Sequence, residues 1–305
     1  MRLRRSLLVV SIIGIAGSGV TAATTPDSAT VPLHVELNRP YVELTFHRTN
    51  GATRTARFVV DSGGGGFLMV ESLARDLGLK WDKTIREEGS EIAQPSVPPV
   101  AFVGGMPLDL DTNRVMVLVG SERIAAPGAR AEGLFPSHLL ARYHVIFDYP
   151  NGKFTIARPA VLKPQGKALP MPVSRRSGFP RTEIEVDGMT YGFLLDTGAS
   201  FTMVSEVLLK SWGDKHSDWP RHKGAYGEAV TLGGQTLETM FVPGGRWGEF
   251  PLAEFGVTSQ REGTFEKMMS GMMTAPIVGS LAGNVLKRFR VELDYPNEKL
   301  YLSTP

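Results

Sequence analysis

Cysteine is absent from this chain of 305 residues. The chain therefore has no disulfide, no thiolate nucleophile, no cysteine-ligated zinc and no lipid-modified N-terminal cysteine. Its six histidines are scattered without metal-ligand spacing, and neither a Gly-x-Ser-x-Gly nor a Gly-Lys-Ser/Thr sequence occurs. We therefore expect no bound metal and no cofactor, and a fold that depends on its apolar core.

Long apolar runs are lacking beyond the N-terminus. Arg2, Arg4 and Arg5 precede an apolar run over residues 7–20, and small residues follow it. This order is typical of a secretory signal peptide, here residues 1–22. The run is shorter than the roughly 17–25 residues of a membrane-spanning helix, although an uncleaved anchor is the alternative. We expect an exported protein, periplasmic or secreted, with no stable membrane span after cleavage.

A strong excess of charge is lacking as well. The chain has 33 basic and 31 acidic residues, and three of the arginines fall within the predicted signal peptide. The basic residues form no stripe along the sequence. We therefore expect no nucleic-acid partner.

The chain repeats itself once. The first pair of matching segments is Phe-Val-Val-Asp-Ser-Gly at residues 58–63 and Phe-Leu-Leu-Asp-Thr-Gly at residues 193–198. The second pair, residues 133–151 and 279–297, begins with glycine and ends in Asp-Tyr-Pro-Asn in the same register. Two matches in one frame indicate that a folding unit is duplicated.

Local patterns in both halves predict short strands. Turn signals at Asn50-Gly51 and Asp187-Gly188 each separate two apolar or alternating segments, as in a β-hairpin. Asp148 and Asp294, which start the Pro-Asn turns, are expected to be structural. The predicted strands are residues 41–46, 53–60, 153–156, 183–186, 189–195 and 299–302.

A short helix is predicted after each repeated aspartate. The two helices cover residues 71–77 and 205–211. Gly78 and Gly213 are interpreted as the residues that stop them.

The repeated aspartates, Asp61 and Asp196, are the candidate catalytic pair. A twofold arrangement of the halves places their carboxylates side by side, where both cannot ionise and one proton is shared. One carboxylate can then activate water as a general base, and the other can act as a general acid toward a substrate carbonyl. The next hydroxyl can hydrogen-bond across to the other turn, and the next glycine lets the backbone pass closely. These supporting residues are Ser62, Gly63, Thr197 and Gly198.

These motifs resemble those of the pepsin/retropepsin superfamily, specifically the bacterial retropepsin-like aspartyl proteases that carry two lobes in one chain. Residues 193–200 match the family motif in full, and residues 61–63 match its core. Residues 277–279, Ile-Val-Gly, match the turn that crosses behind the active site. The resemblance covers about residues 33–305.

The resemblance implies an all-β fold of two pseudo-twofold-related acid-protease lobes with a few short helices. We expect an N-terminal lobe over residues 30–158, a connection rich in proline and basic residues over 159–180, and a C-terminal lobe over 181–305. The implied activity is that of an aspartic endopeptidase acting on peptide or protein substrates. Both half-sites lie in one chain, so dimerisation is unnecessary and a monomer is expected.

The first motif departs from the family. Residues 64–66 are all glycine, whereas the second motif continues with Ala199 and Ser200. The resemblance gives Ser200 the role of helping to hold the catalytic carboxylate, and the first turn lacks that hydroxyl. A catalytically weak or inactive peptide-binding module is therefore the alternative, and an envelope-interaction protein is a third possibility.

Two further segments are candidates for the substrate groove. Tyr226-Gly227 resembles a flap tip, with an ordinary surface hairpin as the alternative, and the first-half counterpart near residues 89–99 is expected to be a rigid loop. Residues 265–275 contain four methionines, which fit packing against the lobe, a groove wall or soft-metal binding.

Overall fold

The computed structural model describes residues 25–87, 90–121, 124, 131–226 and 236–305. Strands hold 48% of the chain and helices 15%, so the chain is mostly β with few short helices, as predicted. No helix within these ranges has the length and apolarity to cross a membrane. The predicted signal peptide lies outside them.

Strands of the first half form one ten-stranded sheet, in the order β6-β7-β10-β5-β11-β4-β3-β8-β9, with β2 paired to β3. Its strands are β2 (His34–Glu36), β3 (Arg39–His47), β4 (Thr53–Asp61), β5 (Phe67–Val70), β6 (Thr84–Glu87), β7 (Ser90–Ala93), β8 (Val100–Val103), β9 (Met106–Pro107), β10 (Val115–Val119) and β11 (Gly133–Pro136).

Strands of the second half form a seven-stranded sheet, in the order β15-β16-β21-β17-β20-β19-β18. Its strands are β15 (Arg181–Val186), β16 (Met189–Leu195), β17 (Thr202–Ser205), β18 (Arg221–Tyr226), β19 (Thr236–Trp247), β20 (Phe250–Gln260) and β21 (Gly279–Leu281). The hairpin between β15 and β16 turns at Asp187 and Gly188, which have φ of 53° and 72°. Two positive φ values are what a tight hairpin turn requires, so the predicted turn is confirmed.

A third sheet, which we call the shared sheet, joins strands of both halves in the order β1-β13-β12-β22-β23-β14. Its strands are β1 (Ser28–Pro32), β12 (His144–Asp148), β13 (Lys153–Ala157), β14 (Lys167–Pro170), β22 (Arg290–Asp294) and β23 (Lys299–Ser303). Asp148 and Asp294 end the two central strands, and each accepts a hydrogen bond from the side-chain amide three residues later, Asn151 or Asn297. These contacts agree with the turn role predicted for both aspartates.

The connection over residues 159–180 is more ordered than its composition suggests. It contributes β14, which pairs antiparallel with β23 in the shared sheet. Val173 and Pro180 then bridge across a tight turn, and we call residues 173–180 the connecting hairpin.

Helices are short and follow the strands that they pack against. Gly78 has a left-handed backbone (φ 77°) and its N–H donates to Arg75 O, so it ends the first helix as predicted. The prediction for Gly213 is wrong, because the third helix continues two residues past it. The Arg221 guanidinium occupies the place where a Cβ of residue 213 would lie. The helices are α1 (Glu71–Asp76), α2 (Ser137–Leu140), α3 (Glu206–Lys215) and α4 (Gly283–Leu286), with short 3-10 helices at Thr112–Arg114, Ser270–Met272 and Tyr295–Asn297 and a π-helical segment at Thr264–Met269.

The same strand arrangement surrounds the repeated aspartate in both halves. In the first half, β11 pairs parallel with β4 and antiparallel with β5. In the second, β21 pairs parallel with β16 and antiparallel with β17. Gly133 therefore lies opposite Phe58, and Gly279 lies opposite Phe193. A Cβ on either glycine would collide with the phenylalanine ring, so both positions require glycine for close packing.

We expect Gly279→Ala to destabilise the protein by about 1–3 kcal/mol, because the added methyl overpacks the core against the Phe193 ring. Gly271→Ala is the matched control, since nothing lies within 4 Å of its Cβ position. Urea unfolding of both variants measures the difference. Equal midpoints for the two variants would contradict the packing argument.

Candidate active site

The fold brings Asp61 and Asp196 together. Asp61 is the last residue of β4 and Asp196 directly follows β16, so each leaves an apolar strand at the meeting point of the halves. A side-chain hydrogen bond joins the two carboxyl groups. A Cβ at Gly63 would lie 2.7 Å from the Asp196 Cγ, and a Cβ at Gly198 would collide with the Asp61 carboxyl. Each glycine therefore makes room for the carboxyl group of the other half.

The hydroxyl group of each turn forms hydrogen bonds with backbone groups of the other turn. Ser62 Oγ donates to Leu195 O (2.6 Å) and accepts from Thr197 N (3.0 Å). Thr197 Oγ1 donates to Val60 O (2.7 Å) and accepts from Ser62 N (3.0 Å). Both side chains are fully buried. The four bonds fix the separation of the aspartates, as predicted for these supporting residues.

Backbone amides orient each carboxylate. Gly63 N donates to Asp61 Oδ1 at 2.8 Å, and both Gly198 N and Ala199 N donate to Asp196 Oδ1 at 3.1 Å. These donors favour the ionised form of each carboxyl group.

Burial nevertheless dominates the titration of the pair. The two residues keep part of their surface accessible, yet protein surrounds the carboxyl groups closely, and the loss of hydration raises the pKa of both. The negative charge of Asp61 raises the pKa of Asp196 further. A pair in which ionisation of one member opposes ionisation of the other holds a single proton over an extended pH range.

Arg39 is a site residue that the sequence reasoning missed. Its side chain is buried, and its Nε donates to Gly198 O at 2.6 Å. The positive charge lowers the pKa of both Asp61 and Asp196, so it opposes the effect of burial. The available signal is weak: an arginine is the first residue of a strand whose next three residues are apolar. The matching register position in the second half, just before β15, is Phe179.

The glycine-rich turn after Asp61 is held by α2. Ser137 N donates to Gly64 O (3.1 Å), and Ser137 Oγ shares its one proton between Gly64 O (2.7 Å) and Ser177 O (2.8 Å). His138 Nδ1 donates to Gly65 O (3.0 Å). A Cβ at Gly64 would lie 2.7 Å from Asp61 Oδ2. The backbone freedom expected from the glycine run is therefore offset by three hydrogen bonds and by close packing.

Ser200, the hydroxyl of the second motif, is buried. Its carbonyl accepts from Asn38 Nδ2 and Asn284 N, both at 3.1 Å. A direct role in holding Asp196 stays a prediction.

Two buried tyrosines lie close enough to the aspartate of the other half for its charge to raise their pKa values. Burial and the charge of Asp196 raise the pKa of Tyr149, and burial and the charge of Asp61 raise that of Tyr295. Neither hydroxyl has a hydrogen-bond partner among the described residues. The two Asp-Tyr-Pro-Asn segments thus place one tyrosine near the aspartate of the other half.

The two flap predictions have different outcomes. Tyr226 ends β18 and pairs with Thr236 at the start of β19, so a hairpin is present, whereas Gly227 lies outside the described residues. In the first half, the expected rigid loop near residues 89–99 is wrong for Ser90–Ala93. That segment is strand β7, which satisfies its backbone groups by pairing with both β6 and β10.

The methionine-rich segment packs beside the second aspartate turn. Met269, Met272 and Met273 contact an apolar cluster that contains Phe265 and Ala199. This is the packing role that the sequence favoured. Ala199 directly follows the Asp196-Thr197-Gly198 motif, so the cluster borders the candidate site.

Comparison with known proteins adds no assignment: the chain matches no protein-family model, and a search of the curated proteins finds no match.

We expect Thr197→Val to destabilise the protein by about 2–4 kcal/mol, because it leaves Ser62 N and Val60 O buried without a partner. Thr197→Ser keeps the hydroxyl and is the control. Denaturant unfolding compares the two variants. A valine variant as stable as the serine variant is the result that contradicts the hydroxyl exchange.

The raised pKa of Asp196 also has a consequence for stability. A carboxyl group whose pKa is higher in the folded state stabilises the fold while it is protonated, and this contribution is lost as the pH rises through the folded pKa. The Asp196→Asn variant does not suffer that loss. The free energy of unfolding of the variant, relative to that of wild type, should therefore increase with pH, by at most about 1.4 kcal/mol per pH unit. Unfolding measured across acidic and neutral pH tests this, with Asp148→Asn as the control. Parallel curves for wild type and Asp196→Asn would refute the assignment.

Proposed function

We propose that the protein is an aspartic endopeptidase of the bacterial two-lobed retropepsin-like type, with Asp61 and Asp196 as its catalytic pair. The observation that carries the proposal is the pair itself: two carboxyl groups joined by a hydrogen bond, with raised pKa values, at the ends of two equivalent strands. Paired carboxyl groups that share a proton are the machinery of metal-independent peptide hydrolysis.

The surroundings of the two carboxyl groups suggest different starting roles. Asp61 accepts hydrogen bonds from Gly63 N and Asp196, and Arg39 adds positive charge, so its ionised form is favoured. The charge of Asp61 raises the pKa of Asp196, so Asp196 retains the shared proton. Asp61 would then take a proton from the attacking water, while Asp196 donates its proton to the oxygen of the substrate carbonyl. The tetrahedral intermediate then collapses: its C–N bond breaks as the leaving nitrogen receives a proton from Asp61, and one of its hydroxyl groups returns a proton to Asp196, which re-forms the carbonyl and restores the pair.

The proposed architecture is two pseudo-twofold-related lobes over residues 30–158 and 181–305, joined by residues 159–180. Reciprocal contacts support it: Asn38, before β3, packs on Gly283 of α4, and Gly178 of the connecting hairpin packs on Ser137 and His138 of α2. The segment that leads into β3 therefore packs on the helix after the crossing strand of the second half, and the segment that leads into β15 packs on the corresponding helix of the first half. A monomer then contains the whole site.

The proposed substrate is a peptide or protein segment lying across the pair. The sequence of residues 1–22 supports an exported enzyme that meets this substrate in the periplasm or outside the cell.

We expect the mature protein to cleave members of an unbiased peptide library at acidic to neutral pH. Asp196→Asn should lower the rate by about 10²–10⁴-fold, because it removes the proton donor. Asp148→Asn, which changes a repeated aspartate at a turn of the shared sheet, should retain full activity.

Binding measurements separate the enzyme from a peptide-binding module. A peptide that carries a hydroxyl-bearing tetrahedral carbon in place of the scissile carbonyl should bind wild type more tightly than its parent peptide. Equal affinity for both peptides, with no cleavage by wild type at any pH tested, would falsify the proposed hydrolysis and favour the binding module.

A further inference from the structure

A cavity of about 320 Å³ lies behind the glycine-rich turn. One wall is α2, the second is the turn of the connecting hairpin, and the floor contains the buried Tyr295. Neither aspartate of the pair lines the cavity, but its wall includes His138, which hydrogen-bonds to the turn that follows Asp61.

The cavity is lined by more positive than negative charge. Four arginines face two acidic residues, Asp111 and Glu298, whose charges are too few to balance them. The arginines are Arg114, Arg142, Arg175 and Arg176.

The arginines differ in how they are held. Arg114 lies 3.7 Å from the Asp111 carboxylate, and Arg142 Nη1 donates to Asp109 O at 2.6 Å. Arg175 and Arg176 are exposed, and neither forms a hydrogen bond or ion pair with a described residue. Their donor groups are therefore available for a ligand.

His138 lines the same cavity, and the positive charge around the cavity affects its pKa. Loss of hydration and then the charge of Arg114 lower its pKa to about 4, with a smaller contribution from Arg142. Asp111 acts in the opposite direction, and so does the Gly65 carbonyl. Since Nδ1–H donates to Gly65 O, Nε2 is the ring nitrogen that can gain a proton.

We propose that this cavity is a binding site for a small oxyanion of the phosphate class, held by Arg175, Arg176 and Arg114. Guanidinium groups present planar pairs of N–H donors that match phosphate oxygens, and two of the three have no protein partner to give up. The Arg175-Arg176 turn is fixed in place because Ser137 Oγ shares its one proton between Gly64 O and Ser177 O, and because Gly178 N donates to Ser174 O.

The position of the site couples it to Asp61. A bound anion favours the protonated form of His138, which keeps its bond to Gly65 O while gaining charge. Ser137 contacts both the connecting hairpin and Gly64 O. An anion bound in the cavity therefore acts on the turn after Asp61 through α2, and it does not occupy the place proposed for the substrate.

The test is titration of the mature protein with inorganic phosphate against chloride at equal ionic strength, followed by calorimetry and by NMR of the His138 ring and the Gly64 and Gly65 amides. We expect one phosphate per chain, an increase of the His138 pKa from about 4 toward its ordinary value of 6.5, and shifts of both glycine amides. Arg175→Gln/Arg176→Gln should weaken binding at least tenfold. Lys153→Gln/Lys163→Gln removes the same charge at exposed positions elsewhere and is the control.

Equal phosphate affinity in the two double variants, or no binding by wild type, overturns the site. Phosphate binding that leaves the Gly64 and Gly65 amides unshifted overturns the coupling to Asp61. The measurement needs no peptide cleavage, so it also distinguishes failure of this proposal from failure of the proposed hydrolysis. Asp196→Asn should bind phosphate as wild type does.

Discussion

The exchange of hydroxyl hydrogen bonds between Ser62 and Thr197 is the interaction on which the rest of the site depends. Each hydroxyl satisfies a buried carbonyl and a buried amide of the opposite half, so neither turn has a complete set of hydrogen bonds alone. Replacing either hydroxyl by an apolar group would leave one carbonyl and one amide buried without partners, each at a cost of about 1–3 kcal/mol. This requirement holds the strands that end at Asp61 and Asp196 at one separation, which neither half could define by itself.

Other parts of the duplication act on the opposite half in the same way. The charge of Asp196 raises the pKa of Tyr149, and the charge of Asp61 raises the pKa of Tyr295. The two strands that lead to these tyrosines pair with each other in the shared sheet. Close approach makes the arrangement intolerant of extra atoms, as Gly63 shows by facing the Asp196 carboxyl. A repeated sequence therefore folds here into one cooperative site rather than into two similar sites.

Local features of this arrangement could be predicted from the sequence, and long-range ones could not. Strand β16 begins and ends at the predicted residues, because the alternation of residues 183–186 and the Asp187-Gly188 turn are signals that act between neighbouring residues. Arg39 was missed because its partner, Gly198, is 159 residues away. Strand β14 was missed for the same reason, since its pairing with β23 is invisible in the proline-rich and basic composition of the connection. The helix-stop assignment of Gly213 is wrong because Gly213 lacks the left-handed backbone with which a glycine ends a helix, and α3 continues to Lys215.

The asymmetry of the site follows from opposing effects on one pair of charges. Burial alone would favour protonation of both carboxyl groups, and a doubly protonated pair has no base to activate water. Arg39 lies near the pair in the first half, whereas the matching position in the second half is the apolar Phe179, so among the described residues one of these two equivalent positions supplies a cation to both carboxyl groups. One cation can compensate for one buried negative charge, which favours a pair with one carboxylate and one carboxylic acid. The departure from twofold symmetry at this position is therefore what allows a symmetric frame to hold an unequal pair.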